Sequence, residues 1–550
     1  MICIVGFVSA CSDKKSSDQY NISKLHYRGI LGSFALNKTS NNLGAFVPSF
    51  GQALAASDQG DVIAVSASKS KFICHNQSNG VVNQIDFNPV PVLADIDFNP
   101  EADKDNKLRC THIESNKEIG GVFVFHNFDL KRAFYFSGTS DSVDSDFGHA
   151  VALSRDGTRL AIGHTMHSQK IRNATCIGVL DPKTYQSCHQ VAEVSDDGAE
   201  SGAVFLYEFS NTWKLTHVIK PNLITGYRFG HQVEFSDDGM SLVVTSIRDN
   251  KARSETVSTT KEAEYKTLLT DRDVKTNADG VGAIYRYQFN NGDWQFKYYG
   301  SIANNASLGV QVVQANNTFV IRSAHNLYAL VQDRLTQLVR FNDDHVIDDI
   351  AMSNERLAVG MTNMDGGCQH VVTQIEAMQK CFEAPQALPK AGGVMMYDWD
   401  NNEDSTVKIT PVALFNAEEP KQNQAYGQRV SLSDHGTLLV SMQHDGACAG
   451  VFDHVAVCQK KNDKKLAHSG AVYAYQALEL SGFIKSRYTV ENGAFGEKGL
   501  YSVGKQHYIL MDDYRLCTGY EPIANIQKVC PSLNINLDSL IPQFFVLQQE

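Results

Sequence analysis

The apolar positions of this chain fall in short runs, and the polar positions between them repeat. Runs at 62–65, 160–162, 242–244 and 438–440 each follow a turn of the form Ser-x-Asp-Gly or a close variant. Two full copies read Phe147-Gly148-His149-Ala150-Val151-Ala152-Leu153-Ser154-Arg155-Asp156-Gly157 and Phe229-Gly230-His231-Gln232-Val233-Glu234-Phe235-Ser236-Asp237-Asp238-Gly239. Looser copies begin at Phe50-Gly51 and Tyr426-Gly427. Asp-Gly between apolar runs signals a hairpin, because Gly tolerates positive φ and Asp bonds its own backbone. Each copy therefore predicts two antiparallel strands around a tight turn. Later in each unit comes a Gly-small-Val-aromatic run, as in Gly202-Ala203-Val204-Phe205, Gly282-Ala283-Ile284-Tyr285 and Gly470-Ala471-Val472-Tyr473. Its β-branched and aromatic residues predict a third strand. A fourth follows at 213–219, 294–302 and 407–414.

Fixed internal repeats mean one small unit used many times. Four antiparallel strands per unit make a blade, so the expected fold is all-β, a β-propeller. Degenerate copies at 308–330, 346–360 and from Phe495-Gly496 onward bring the ring to seven blades. The last copy has a second strand at 508–511 and a third at 543–547, but no room for a fourth before Glu550. The apolar stretch 25–34 has no other unit to join, so it is expected to supply that strand and close the ring. Open sheet edges are a liability that closure removes. Residues 25–550 are thus read as one propeller, after a leader at 1–10 and a polar tether at 11–24.

The Phe-Gly and Gly-Ala-Val-Tyr elements resemble the FG-GAP repeats of integrin α-chain propellers and related bacterial proteins. The resemblance covers nearly the whole chain after Ser49 and implies the fold far more than a function. It also implies calcium loops between the first two strands, but here the turns are only Ser-x-Asp-Gly. They are too short and too poor in oxygen ligands for a calcium cage, so those sites are not carried over.

Ten of the 12 cysteines fall in pairs, each pair between the second and third strands of one unit. They are Cys74/Cys110, Cys176/Cys188, Cys368/Cys381, Cys448/Cys458 and Cys517/Cys530. We read five local disulfides and an oxidising compartment. A zinc knuckle does not fit, since no CxxC appears. The same connections hold six long insertions, at 66–119, 166–200, 247–280, 361–391, 442–468 and 512–540. In a four-strand meander they all leave from one face of the ring, which they are expected to crowd. The opposite face carries only tight turns.

Residues 2–8 are apolar and lead into Ser9-Ala10-Cys11, followed by Ser12-Asp13-Lys14-Lys15. This resembles a bacterial lipobox at the end of a signal peptide, with Cys11 as the lipidated residue. Ser12 rather than Asp after the cysteine implies outer-membrane sorting, facing either the cell surface or the periplasm. The net charge of −12 disfavours nucleic acid as a partner.

No nucleophile elbow, phosphate loop or His-Glu-x-x-His occurs, so no catalytic residue is assigned. The residues after each Phe-Gly should ring the channel mouth: Gln52, His149, His231, Val310, Asp348, Gln428 and Glu497. Two histidines and two carboxylates there could coordinate a metal, but a wet polar mouth is the expected reading and no metal is assigned. Acidic clusters at 141–146 and at Asp95, Asp97, Glu101, Asp103 and Asp105 are read as solvated loops, with calcium the alternative and no cofactor assigned. The three tryptophans are read as blade packing.

The expected function is a non-enzymatic, lipid-anchored adhesion or binding protein that engages a protein or surface glycan through the insertion-bearing face. The alternatives are a periplasmic envelope-assembly scaffold and a polysaccharide lyase or hydrolase with its site over the channel.

Overall fold

The computed structural model describes most of the chain from Leu25 to Gln549. Outside the described residues lie 1–24, 33–49, 76–92, 98–108, 113–118, 137–145, 168–175, 191–200, 222–226, 250–255, 265–280, 444–449, 456–465, 514–518, 523–540 and a few shorter stretches. Cys11, Cys448, Cys458, Cys517, Cys530 and most of the acidic clusters are among them.

Seven antiparallel sheets form the ring. The first runs Phe50–Ala56, Val62–Ala67, Gly121–His126, Asp129–Phe136, in the order expected of a meander. The fourth has no insertion and is the plainest: Gln311–Ala315, Thr318–Arg322, Asn326–Val331, Arg334–Arg340. The last blade takes its first three strands from Leu500–Val503, Gln506–Asp513 and Ile541–Gln549. Its fourth is the N-terminal strand Leu25–Gly32, with Ile30 opposite Phe545 and Leu31 opposite Phe544. The two ends of the chain thus close one blade, as the apolar stretch at 25–34 predicts.

Both halves of the repeat motif serve the joint between neighbouring blades. The glycine of Phe-Gly takes a left-handed conformation (φ +88° at Gly230), and there the first strand bulges. Phe229 faces Ser246, yet Val233 already faces Val244. The glycine before the third strand of the preceding blade is pressed against this bulge. A Cβ on Gly202 would lie 2.1 Å from the Phe229 carbonyl oxygen. Phe229 N–H in turn donates to the Ser201 carbonyl at 3.3 Å. The same approach recurs between Gly392 and Tyr426, and between Gly282 and Leu308.

The Ser-x-Asp-Gly turns are spent on their own backbone. In the second blade Ser154 Oγ donates to Asp156 Oδ1 at 2.5 Å and accepts from Arg159 N–H at 2.9 Å, while Gly157 N–H donates to the Ser154 carbonyl at 2.8 Å. Apolar side chains fill the space between blades. One cluster joins Phe50, Phe123 and Tyr135 of the first blade to Tyr508 and Phe544 of the last. Trp213, Trp294 and Trp399 are buried in such packing.

The insertions leave from one face, as expected, and they also reach the rim. Each of the six sends a short fifth strand to the outer strand of its own blade: Leu93–Asp97, Gly178–Leu180, Val257–Thr259, Val371–Val372, Gly450–Phe452 and Gly519–Pro522. The physical reason is the unpaired outer edge, whose N–H and C=O groups a fifth strand satisfies. Asp95 and Asp97 belong to such a strand.

Two insertions also hold a helix, Pro182–Gln190 and Ile375–Phe382. Asp181 caps the first, accepting from Lys183 and Thr184 N–H at 2.9 and 3.1 Å. Each helix carries one cysteine of a formed disulfide, Cys176–Cys188 and Cys368–Cys381. Cys74 and Cys110 stand directly opposite each other on a two-stranded ribbon, Phe72–His75 with Arg109–His112.

Candidate functional site

The first strands of all seven blades surround a central cavity of about 550 Å³. Its two ends differ. At one end the tight turns meet across the axis. The x position of Ser-x-Asp-Gly is Asp58, Arg155, Asp237 and Asp434 in blades one, two, three and six. Arg155 gathers the other three. Its Nη2 lies 2.6 Å from Asp434, its Nη1 3.2 Å from Asp237 and its Nε 3.7 Å from Asp58. Gln314 and the Asn317 N–H of blade four add hydrogen bonds to Asp237 at 2.9 and 3.2 Å. One guanidinium thus bridges the ring where the insertions are absent.

At the other end lies the mouth. Of the seven residues expected to ring it, only His149 and His231 are brought together among the described residues, with His149 Nε2 3.0 Å from His231 Nδ1. Behind them Asp146 Oδ2 stands 3.2 Å from His149 Nδ1. Asp146 also accepts from Met166 N–H at 3.0 Å and from the Thr165 hydroxyl. A proton on His149 Nδ1 directed at the carboxylate leaves Nε2 to accept from His231. Burial opposes ionisation of Asp146, but the His149 hydrogen bond, and His164 once it is protonated at low pH, outweigh it and hold the carboxyl well below its usual range. Burial, reinforced by His149, lowers His231 to about 3, so it is neutral at physiological pH.

Two other mouth residues turn to their own blades. Gln52 accepts from the Ser68 hydroxyl, and Asp348 accepts from Thr362 N–H and Oγ1 at 2.5 and 2.7 Å. Val310, Gln428 and Glu497 are half-buried. Among the described residues no group of three or more His, Cys, Asp or Glu is placed to hold a metal.

Deeper in, the wall carries charge that the Phe-Gly motif does not announce. Arg322, at the end of a second strand, and Arg429, beside Gln428, both line the cavity. Asp349 of the intervening blade accepts from Gln311 Nε2 at 2.6 Å and Val430 N–H at 2.8 Å. Burial raises its carboxyl against the pull of Arg429 and Arg322. Glu234 lines the wall from blade three, and burial, then Asp237, push it up to about 8. Sequence reasoning stopped at the mouth. The signal for these residues was available: they sit in or beside the first strands, which line the axis.

No protein-family model and no curated protein matches the chain. Among solved structures it is similar to Kuenenia stuttgartiensis hydrazine synthase, at 11% identity over 74% of this chain and 96% of that one. The TM-score is 0.29, too low to carry an argument about this chain. The architecture itself defines the class: a seven-bladed β-propeller with one face of tied turns and one face of insertions. No described helix is long and apolar enough to cross a membrane. The two formed disulfides suit an oxidising, extracytoplasmic compartment.

Proposed function

We propose that this chain is a non-enzymatic binding protein of the bacterial cell envelope, anchored through Cys11, that holds a protein or surface glycan with its insertion-bearing face. The observation behind this reading is the asymmetry of the ring. One face consists of short turns locked by Arg155. The other carries the insertions, fastened to the rim by fifth strands and, in two described cases, by a disulfide. Segments ordered in advance bind at a lower entropic cost. The FG-GAP resemblance is compatible with a binding role, and the resemblance of residues 2–11 to a lipobox supports an envelope location.

Two single-cysteine variants coupled to maleimide-polyethylene glycol test the reading. Lys390→Cys places the polymer in an insertion of blade five, and Ser210→Cys places it on a third-to-fourth-strand turn of the opposite face. Polymer at position 390 should abolish binding to glycan arrays or crosslinking to envelope proteins, and polymer at 210 should leave both intact. Equal sensitivity at both positions, or at 210 alone, would sink the assignment. Protease shaving of intact cells then separates the two orientations. Cleavage of the insertions on intact cells means a surface-displayed face. Protection until the outer membrane is opened means a periplasmic one.

A further inference from the structure

The cavity holds two guanidinium groups that have no counter-ion in contact among the described residues. Arg322 Nη1 donates to the Ile347 carbonyl, but its Nε is buried with no acceptor among the described residues. The Arg429 side chain has no ion-pair or hydrogen-bond partner among the described residues, and it faces the cavity. Asp349, between their blades, spends its oxygens on Gln311 and the Val430 N–H. Asp348 spends its own on Thr362.

An arginine cannot shed its charge in a protein, so a guanidinium in such a place costs stability unless something pairs with it. Arg322 and Arg429 line the cavity with Asp349 between them, and Asp348 adds its charge near Arg322, but neither carboxylate is in contact with a guanidinium among the described residues. Burial pushes Glu234, the other carboxyl of the wall, up to about 8.

The rest of the lining mixes apolar side chains, among them Val312, Ile350 and Leu500, with polar ones. Gln232, Ser431, Tyr501 and Ser502 offer amides and hydroxyls, and Glu234 in its protonated form is a further donor. A volume of about 550 Å³ is in the range of small-molecule sites. With the Arg155 end bridged, entry is from the insertion-bearing face.

We propose that the central cavity is a binding site for a small polyhydroxylated carboxylate, of the sugar-acid class, whose carboxylate sits on Arg429 and Arg322. The planar fork of a guanidinium matches a carboxylate with two parallel hydrogen bonds. The hydroxyls of the ligand meet the amides and hydroxyls of the wall. The inference stands apart from what the outer face binds, since the cavity belongs to the ring and not to the insertions.

Calorimetric titration of the full chain with glucuronate tests it, with glucose as the uncharged control and sulfate as the anion without hydroxyls. Glucuronate should bind one to one and glucose should not. Arg429→Gln should weaken glucuronate at least tenfold. The urea midpoint of the same variant without ligand, compared with that of the unaltered chain, separates loss of the site from loss of the fold. No saturable heat with glucuronate overturns the proposal, as does equal affinity in Arg429→Gln. Binding of sulfate as tight as glucuronate overturns the sugar-acid assignment.

Discussion

Two residues show how a repeat motif becomes a mechanical joint. Gly202 has φ +85° and its missing side chain makes room for the Phe229 carbonyl of the next blade. Gly436 has φ +79°, yet nothing lies within 4 Å of where its Cβ would be. Strained φ alone costs about 1–3 kcal/mol. Gly436→Ala should therefore lose about that much in denaturant unfolding, and Gly202→Ala clearly more, because backbone must also move. Equal losses would mean that the inter-blade approach does not matter. Buried imidazoles make a second residue-scale prediction. Burial lowers His164 and His507 to about 4 from the usual 6.5, so the fold holds both neutral. The unfolded chain binds protons first as pH falls, so their stabilisation is complete above about pH 6.5 and is lost as pH falls through 4. Each contributes at most about 3 kcal/mol to that loss. The urea midpoint should drop between pH 7 and pH 4.5, and less steeply in His507→Gln.

At the scale of elements, each insertion solves the problem of its blade's outer edge. Blade four, which has no insertion, ends in the charged strand Arg334–Arg340, and charge is another way to blunt an edge. In blade two the solution is a unit of its own: Gly178–Leu180 on the edge, the capped helix behind it, and Cys176–Cys188 binding them. Tyr185 of that helix is buried and its hydroxyl lies 2.9 Å from His167 Nε2. The disulfide closes a loop of 12 residues, worth roughly 3 kcal/mol in the chain-entropy model. Cys176→Ser with Cys188→Ser should lower the unfolding temperature by several degrees and open 176–190 to protease. Because the first four strands of the blade do not depend on this unit, the far-ultraviolet spectrum should stay that of the ring.

At the scale of the whole molecule, closure couples the two ends of the chain. Leu25–Gly32 lies between Ile541–Gln549 and Gly519–Pro522, so its loss would expose two strand edges at once. Removing residues 1–32 should give a chain that self-associates or unfolds at lower denaturant, measured by size-exclusion chromatography and urea titration. Supplying 25–32 as a separate peptide should recover the monomer. A truncated chain that stays monomeric with unchanged stability would mean that the clasp is dispensable. The opposite end of the axis is held by Arg155, which is 35% exposed, so its ion pairs are screened and add only modest stability. Its effect is geometric: beyond the neighbouring blades one and three it reaches Asp434 of blade six, which does not adjoin its own blade.

Local chemistry decided the blade. Asp-Gly turns, Phe-Gly bulges and β-branched third strands act over a few residues, and their periodic recurrence alone yields the sheets, the blade count and the missing strand at the N-terminus. Cysteine spacing is likewise local, which is why Cys176–Cys188 and Cys368–Cys381 could be paired in advance. What only the tertiary structure decided are relations between repeats. Arg155 meets Asp434 across 279 positions of sequence, and His149 meets His231 across 82. The guanidiniums that meet at the cavity wall and the outward course of the insertions are of the same kind. Each depends on which side chains a closed ring aims at one axis and which edges it leaves open. That is a property of seven blades together, and no single repeat encodes it.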